Sequence, residues 1–354
     1  MRPMQNQPTT QPPLFSILMP VYNAAATLEA AARSVLDQSQ GDLELLLVDD
    51  GSADGSLELA RSLAAADPRV RVFAQKNGGI CAARNRALAE ARGRYLGFCD
   101  DDDLYLPGAL AAVTALIART GADLIRTGYE LRRQTADGRF VTLPHPAGTP
   151  CGLDPAPDGG AYLHFLRQSG PQFVWNAWYR REFFGALCFD GRCRAGLEDF
   201  VLNAAVYARG PRAVYDPVVT TRHFESAAST SRASAAAVAA RVESLPLWAE
   251  AEHAAMAARC EAGARRRVWA ARQAELVTFL MHQLRDSAAP RPAARAAWRT
   301  LRRALAPLAN PAPALDFLRV AGQNKKQAAA LLLYAAHLQD LYAHLPNKEE
   351  ELLT

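Results

Sequence analysis

Apolar and polar positions fall into alternating blocks from Leu14 onwards. The run LFSILMPVY reads as a short apolar strand, the alanine-rich stretch from about Thr27 to Leu36 has helical spacing, and LELLLVDD is a second apolar run that ends in turn residues. That is a β-α-β unit. A helix from about Ser56 to Ala65, a strand at RVRVFAQ, a helix around Ala82 to Ala91 and a strand at RYLGFCD continue the pattern. Strands alternating with helices predict an α/β fold with a mainly parallel sheet covered on both faces. In such sheets ligands lie beyond the carboxyl ends of the strands, near the switch in strand order. Polar clusters stand at those ends: Tyr22 and Asn23, Asp49 and Asp50, Asn77, and Asp100 to Asp103.

The signal is mixed between about Tyr129 and Arg232. Pro and Gly clusters from Pro144 to Gly160 predict a long surface loop, followed by the segment FVWNAWYRREFF. Beyond Ala233 the chain is Ala- and Arg-rich and helical, broken by Pro290, Pro292, Pro307, Pro311 and Pro313. The expected organisation is a disordered tail at 1–13, an α/β domain at 14–232 with halves at 14–128 and 129–232, and a helical region at 233–354.

Composition narrows the class without changing the fold. The chain of 354 residues is 50% hydrophobic and 21% charged, which leaves room for more than one core. A net charge of +4 is too small an excess to imply nucleic-acid binding. The six cysteines form no CxxC pair and have no His at zinc-ligand spacing, so reduced thiols in a cytoplasmic protein are expected. The opening MRPMQNQPTTQPP is polar and proline-rich, unlike a signal peptide, and no apolar run reaches the roughly 18 residues needed to span a bilayer.

The acidic run FCDDDDLYLP carries the most chemistry. Four consecutive carboxylates at a strand end repel one another unless a cation neutralises them, and hard oxygen ligands suit Mg²⁺ or Mn²⁺. The competing interpretation is a solvated acidic loop. VDDGSADGS offers Asp50 to a base or ribose, with Gly51 and Gly55 making turns, although DG and GS pairs also mark ordinary loops. No GxxxxGK[ST] loop is present and no GxGxxG follows the first strand, which removes the phosphate-binding devices of P-loop NTPases and dinucleotide oxidoreductases.

In combination, SILMPVYN at 16–23, SVLDQS at 34–39, LELLLVDDGSADGS at 43–56, NGGICAARNRAL at 77–88 and YLGFCDDDDLYLP at 95–107 resemble the family 2 glycosyltransferases, which have a GT-A fold. VWNAWYRREFF at 174–184 and GLEDF at 196–200 resemble the acceptor half of bacterial members, so the likeness covers roughly residues 14–232. It implies that Pro20, Tyr22 and Asp50 line a nucleobase pocket and that Arg84 lies near the diphosphate. Asp100 and Asp102 stand at the two aspartates of the DXD element, with Asp102 the direct metal ligand and Asp100 and Asp101 nearer the ribose. The register is open by one residue, which keeps Asp103 in play. Asp199 is implied as the catalytic base with Glu198 beside it; two acids at a helix N-terminus are the bland alternative.

His223 in TTRHFES is a metal or phosphate ligand or else a packed histidine. Trp175, Asn176 and Trp178 are acceptor contacts or else core. The implied activity is metal-dependent inverting transfer from a nucleotide-sugar, UDP-linked by default, to a hydroxyl of a glycan or lipid-linked acceptor. A nucleotidyltransferase, a non-catalytic binding subunit and an assembly scaffold are the alternatives. Over 265–326, thirteen Lys and Arg residues oppose three acids. That segment is expected either to rest on an anionic membrane surface or to form a solvated face or homo-oligomer contact.

Overall fold

The computed structural model describes residues 11–135, 137–143, 148–153, 159–169, 173–193, 196–225, 241, 243–265, 268–269, 271–272, 275–276 and 299. They form two compact units. The first comprises Met1–Asp154, Phe165–Phe189 and Pro211–Phe224; the second comprises Pro155–His164, Asp190–Gly210 and Glu225–Thr354. The division therefore interleaves along the chain and places the GLEDF segment in the second unit, where a single boundary at 232 would have put it in the first.

The first unit is built on one sheet. Its parallel part contains β1 (Phe15–Val21), β2 (Leu43–Asp49), β3 (Val70–Ala74) and β4 (Tyr95–Phe98), in the spatial order β3-β2-β1-β4. The order reverses at β1, so the chain exits β1 and β4 on either side of a crevice. Every residue of β1 and β2 is buried, which explains why both read as continuous apolar runs. Edge strand β3 is only partly covered. Three helices make the crossovers: α1 (Leu28–Leu36), α2 (Ser56–Ala66) and α3 (Ile80–Glu90). On α1, Leu28, Ala31, Ala32, Val35 and Leu36 are buried at the i, i+3, i+4 spacing of a single face.

The mixed stretch of sequence completes the same sheet with antiparallel strands. Short β5 (Leu104–Tyr105) and helix α4 (Ala109–Thr120) precede β6 (Leu124–Gln134), β7 (Phe140–Leu143) and β8 (Cys151–Leu153). After helix α5 (Gly160–Ser169) come β9 (Ala177–Arg180), the short helix α6 (Arg181–Phe184) and, later, β10 (Ala213–Glu225). β9 inserts between β4 and β6, antiparallel to both. Its Trp178 lies over Gly97: a Cβ there would stand 2.6 Å from the indole. Phe15 and Tyr105 close around the same ring at 5.5 and 5.3 Å between centroids.

At the amino end of the parallel strands a buried polar network ties four segments together. Glu44 accepts hydrogen bonds from the Ser16 hydroxyl (2.6 Å), the Arg92 amide (2.7 Å) and Arg71 (2.9 Å), while the Gly93 amide donates to Ser16 Oγ (2.7 Å). Backbone approach at Gly93 is so close that a Cβ would meet Ser16 N at 2.3 Å.

The second unit packs α7 (Glu198–Ala208) against α8 (Leu245–Arg259). Arg272 is buried between Glu252, at 2.7 Å, and Glu275, and the Tyr162 hydroxyl donates to Glu252 at 3.1 Å. Arg272 is thus internal, contrary to its place in the basic stretch expected to face solvent or lipid. Nearly all the rest of 265–326 lies outside the described residues, as does most of the expected tail at 1–13. Among the described residues no helix is long and apolar enough to cross a membrane.

Candidate active site

The loops leaving β1 and β2 are stitched together by short polar side chains. Asn23, the one non-glycine residue in the left-handed region among those described (φ 51°), donates its amide to Ser52 Oγ at 3.0 Å and accepts from the Ala53 amide at 2.9 Å. The Ala24 amide donates to Ser56 Oγ (2.8 Å) and the Ala25 amide to Asp54 (3.0 Å). Asn tolerates this backbone because its short amide bonds locally. The result holds Tyr22 at the mouth of the crevice with 53% of its surface exposed. Pro20 is buried within β1, beyond the point where β4 stops pairing with that strand.

Asp50 behaves differently from its expected role. Its carboxylate accepts from Gln75 Nε2 (2.7 Å), the Gly78 amide (2.9 Å) and the Gly79 amide (2.7 Å), and so shapes the turn into α3. The neighbouring Asp49 accepts the Gly51 and Ser52 amides through Oδ2, at 3.2 Å each, while its buried Oδ1 has no hydrogen-bond partner among the described residues. An orphaned acceptor costs free energy until a donor reaches it.

Arg84, on α3, reaches across to β4. Its guanidinium is buried, pairs with Asp100 at 2.9 Å and lies over the Phe189 ring at 5.2 Å from the centroid. The amide of Tyr22 donates to Asp101 at 3.0 Å, so the loop after β1 and the acidic loop after β4 are joined directly. Burial pushes the Asp101 carboxyl up to about 7 and the Asp102 carboxyl up to about 8, with the neighbouring carboxylates adding to both.

Asp103 is set apart from its three neighbours by packing. Asp103 is fully buried, accepts the Phe224 amide at 3.0 Å and is held by His223 Nδ1 at 2.8 Å. Burial pulls the imidazole down, but the Asp103 charge, the hydrogen bond to it and the charges of Asp100 and Asp102 outweigh that effect and push His223 up to about 9. His223 stacks on Trp175 (centroids 4.8 Å apart), which stacks in turn on Phe173 (5.0 Å). Asn176 is fully buried and bonds Arg126 Nη1 at 3.1 Å. Trp178 has no exposed surface. Of the three residues offered as acceptor contacts, Trp178 and Asn176 serve the interior and Trp175 supports His223.

A divalent metal fits the donors present. Asp100, Asp101 and Asp102 offer carboxylate oxygens at one strand end, and two of them bear a desolvation cost that a cation would offset. Among the described residues no three His, Cys, Asp or Glu side chains already converge as a metal cage. A metal held by one or two carboxylates and completed by substrate phosphates needs no such cage.

Glu198 and Asp199 open α7 in the second unit and are both buried. Glu198 lies beside buried Arg241, whose charge is disfavoured by burial and is partly restored by that carboxylate, for a net fall to about 10. Phe189 beneath Arg84 and Gln75 against Asp50 were missed from sequence. Phe189 is 105 positions from its partner, and no local pattern marks such a pairing.

Residues 16–146 match the profile of glycosyl transferase family 2. The chain is 33% identical over 205 residues to the uncharacterized glycosyltransferase EpsJ of Bacillus subtilis, covering 56% of this chain and 58% of that one. It is 35% identical over 139 residues to the putative teichuronic acid biosynthesis glycosyltransferase TuaG of the same organism, covering 38% and 55%. The matches thus span a little over half the length of these relatives. Among solved structures, S. aureus TarS 1–349 in complex with UDP superposes with a TM-score of 0.57 at 16% identity, covering 91% of each chain. Residues 16–146 thus carry the sequence of glycosyl transferase family 2, and the chain has the GT-A fold.

Proposed function

We propose that this protein is an inverting glycosyltransferase that moves a sugar from a nucleotide diphosphate, UDP-linked by preference, to a hydroxyl of a glycan or lipid-linked acceptor in surface-polysaccharide assembly. The observation that carries this reading is the crevice at the β1/β4 switch point, where exposed Tyr22, the desolvated Asp101 and Asp102 and the Arg84–Asp100 pair stand on adjoining loops. TuaG, by its name, belongs to polymer biosynthesis, and a TarS structure contains UDP; both support the substrate class.

In the proposed reaction the acceptor oxygen attacks the anomeric carbon and the bond from that carbon to the diphosphate oxygen breaks. The bonding pair leaves with the nucleotide. The acceptor proton goes to Asp199, which the GLEDF motif nominates as base, with Glu198 charge-paired to Arg241 as its neighbour. Asp102, with Asp100 or Asp101, would hold Mn²⁺ or Mg²⁺, which when bound supplies Lewis-acid stabilisation of the leaving diphosphate. Tyr22 offers a ring face to the base, and Arg84 is placed to add a charge-assisted hydrogen bond to phosphate oxygens by exchanging Asp100 for them.

Calorimetric titration with UDP, GDP and their sugar conjugates, with and without Mn²⁺, tests the reading. Metal-dependent binding of one nucleotide, followed by its release in the presence of acceptor, is expected. Failure of all the nucleotide-sugars to bind would refute it.

A further inference from the structure

A cavity separate from the donor crevice opens near the start of β4. It measures about 570 Å³ and is lined by Arg94, Tyr95, Ile117, Ala118, Gly121, Arg180, Arg181 and Glu182. Tyr95 opens β4, whereas Asp100 lies just past that strand's other end, so the full length of β4 separates this cavity from the acidic loop.

Its walls are set by backbone bonds. The Arg94 amide donates to Pro13 O at 2.9 Å, the Arg181 amide to Arg94 O at 2.8 Å and the Arg180 amide to Asp123 O at 2.8 Å. Charge is less evenly matched. Arg180 is paired with Asp123, whose second oxygen accepts the Arg212 amide at 2.8 Å, so that carboxylate is fully engaged. Arg181 donates Nε to Gly93 O at 2.7 Å, which orients its guanidinium without neutralising it. Neither Arg94 nor Arg181 makes an ion pair among the described residues. Glu182 is the one acid among the lining residues, against three guanidiniums. Two unneutralised arginines beside a third, all anchored through their main chain, make a preorganised receptor for an oxyanion.

Size decides the class of ligand. The volume falls in the range of about 300–1,000 Å³ typical of small-molecule sites, well beyond a bare ion, and the remaining wall is the Tyr95 ring with Ile117 and Ala118. The Tyr95 hydroxyl is engaged, donating to Ala122 O at 3.0 Å, and its ring is almost wholly buried, so Ile117 and Ala118 are the apolar surface left for an organic remainder. We infer that this cavity binds a phosphate ester, with its phosphate on Arg94 and Arg181 and its carbon portion against Ile117 and Ala118. The ligand is either a phospholipid headgroup or a soluble sugar or polyol phosphate.

The test uses the full chain without metal. Glycerol phosphate is titrated while backbone amide shifts are followed by NMR, and vesicles of phosphatidylglycerol or of phosphatidylcholine are sedimented with the protein. Shifts centred on Tyr95, Gly121 and Arg181 are expected, with affinity reduced at least about tenfold in Arg94→Gln, whose side chain makes no internal hydrogen bond among the described residues. Arg94→Gln/Arg181→Gln should reduce it further, with circular dichroism and melting temperature reporting that the fold is retained. Soluble binding alone assigns a metabolite, and vesicle binding alone, lost in the variants, assigns a lipid headgroup. Shifts confined to Tyr22, Gly51 and Asp100, unchanged affinity in folded variants, or no binding to either probe would overturn the inference.

Discussion

Glu44 and Asp102 are both carboxylates on the first unit's sheet, one at the amino end of the parallel strands and one at the carboxyl end, and they are treated in opposite ways. Glu44 is buried with three donors of its own: a hydroxyl, an amide and a guanidinium. Asp102 is desolvated among like charges, and the charge of His223 offsets that only in part. A buried charge with a full set of partners contributes to the fold; one held at a cost without them is retained for something that binds. The comparison separates positions where substitution should unfold the protein from positions where it should silence it.

The sharpest way to break that comparison is Asp102→Ala. Transfer should be abolished, and nucleotide binding should lose its response to Mn²⁺, while the melting temperature of the metal-free protein holds or rises. Wild-type turnover in this variant, or in the wild type with excess chelator, would remove the metal from the proposal.

Asp199→Asn comes next. Turnover should fall by about 10²- to 10⁴-fold, the usual worth of a general base, with donor and metal affinity nearly unchanged. Glu198→Gln should cost less in turnover. If donor binding falls in step with activity for Asp199→Asn, the residue is structural and Glu198 becomes the candidate.

Glu44→Ala addresses the other end. Chemical denaturation should show a loss of about 1 to 3 kcal/mol, because the Ser16 hydroxyl, the Arg92 amide and Arg71 lose their acceptor. Metal-dependent nucleotide affinity should stay at the wild-type value. Equal losses of stability and affinity would mean that the two ends are not independent.

The smallest effect is on pH dependence. A carboxyl whose pKa is raised on folding destabilises the native state progressively as pH rises from the ordinary carboxylate range to the folded value, here about 7 for Asp101 and about 8 for Asp102. His223 adds in the same direction: its contribution is complete below the ordinary histidine value and is lost as pH rises through about 9. The metal-free melting temperature should therefore decline between pH 5 and 9. Added Mn²⁺ should raise it more at pH 8 than at pH 6, because the cation competes with protons for the same oxygens. A flat profile would mean that these carboxylates are better solvated than their packing indicates.

Much of the parallel half is legible in the chain because β1, β2 and β4 are covered on both faces and helix α1 buries a single face. Continuous apolar runs and i, i+3, i+4 spacing follow directly from that burial. Helix α3 begins at Ile80 rather than Ala82, since the Gly78 and Gly79 amides are captured by Asp50 and the turn closes earlier than propensity suggests. Strands β6 to β10 are far less readable. Their burial follows no simple period, since β6 passes from full to partial burial along its length and β10 mixes the two, and their partners are distant in sequence, as Gly97 and Trp178 illustrate.

By itself the sequence determined the alternation of strands and helices, the polar ends of β1, β2 and β4 and the concentration of carboxylates at residues 100–103, because each depends on neighbours within a few positions. Only the tertiary structure decided what each of those residues does. It buried Asp103 against His223, left Asp101 and Asp102 desolvated, saturated Asp50 while orphaning an oxygen of Asp49, and turned Trp178 into core. It also gathered Arg94, Arg180 and Arg181 around one cavity. The reason is physical: a side chain's charge, solvation and hydrogen bonding depend on groups brought from tens of residues away, and no local pattern of hydrophobic and polar positions encodes which of them will arrive.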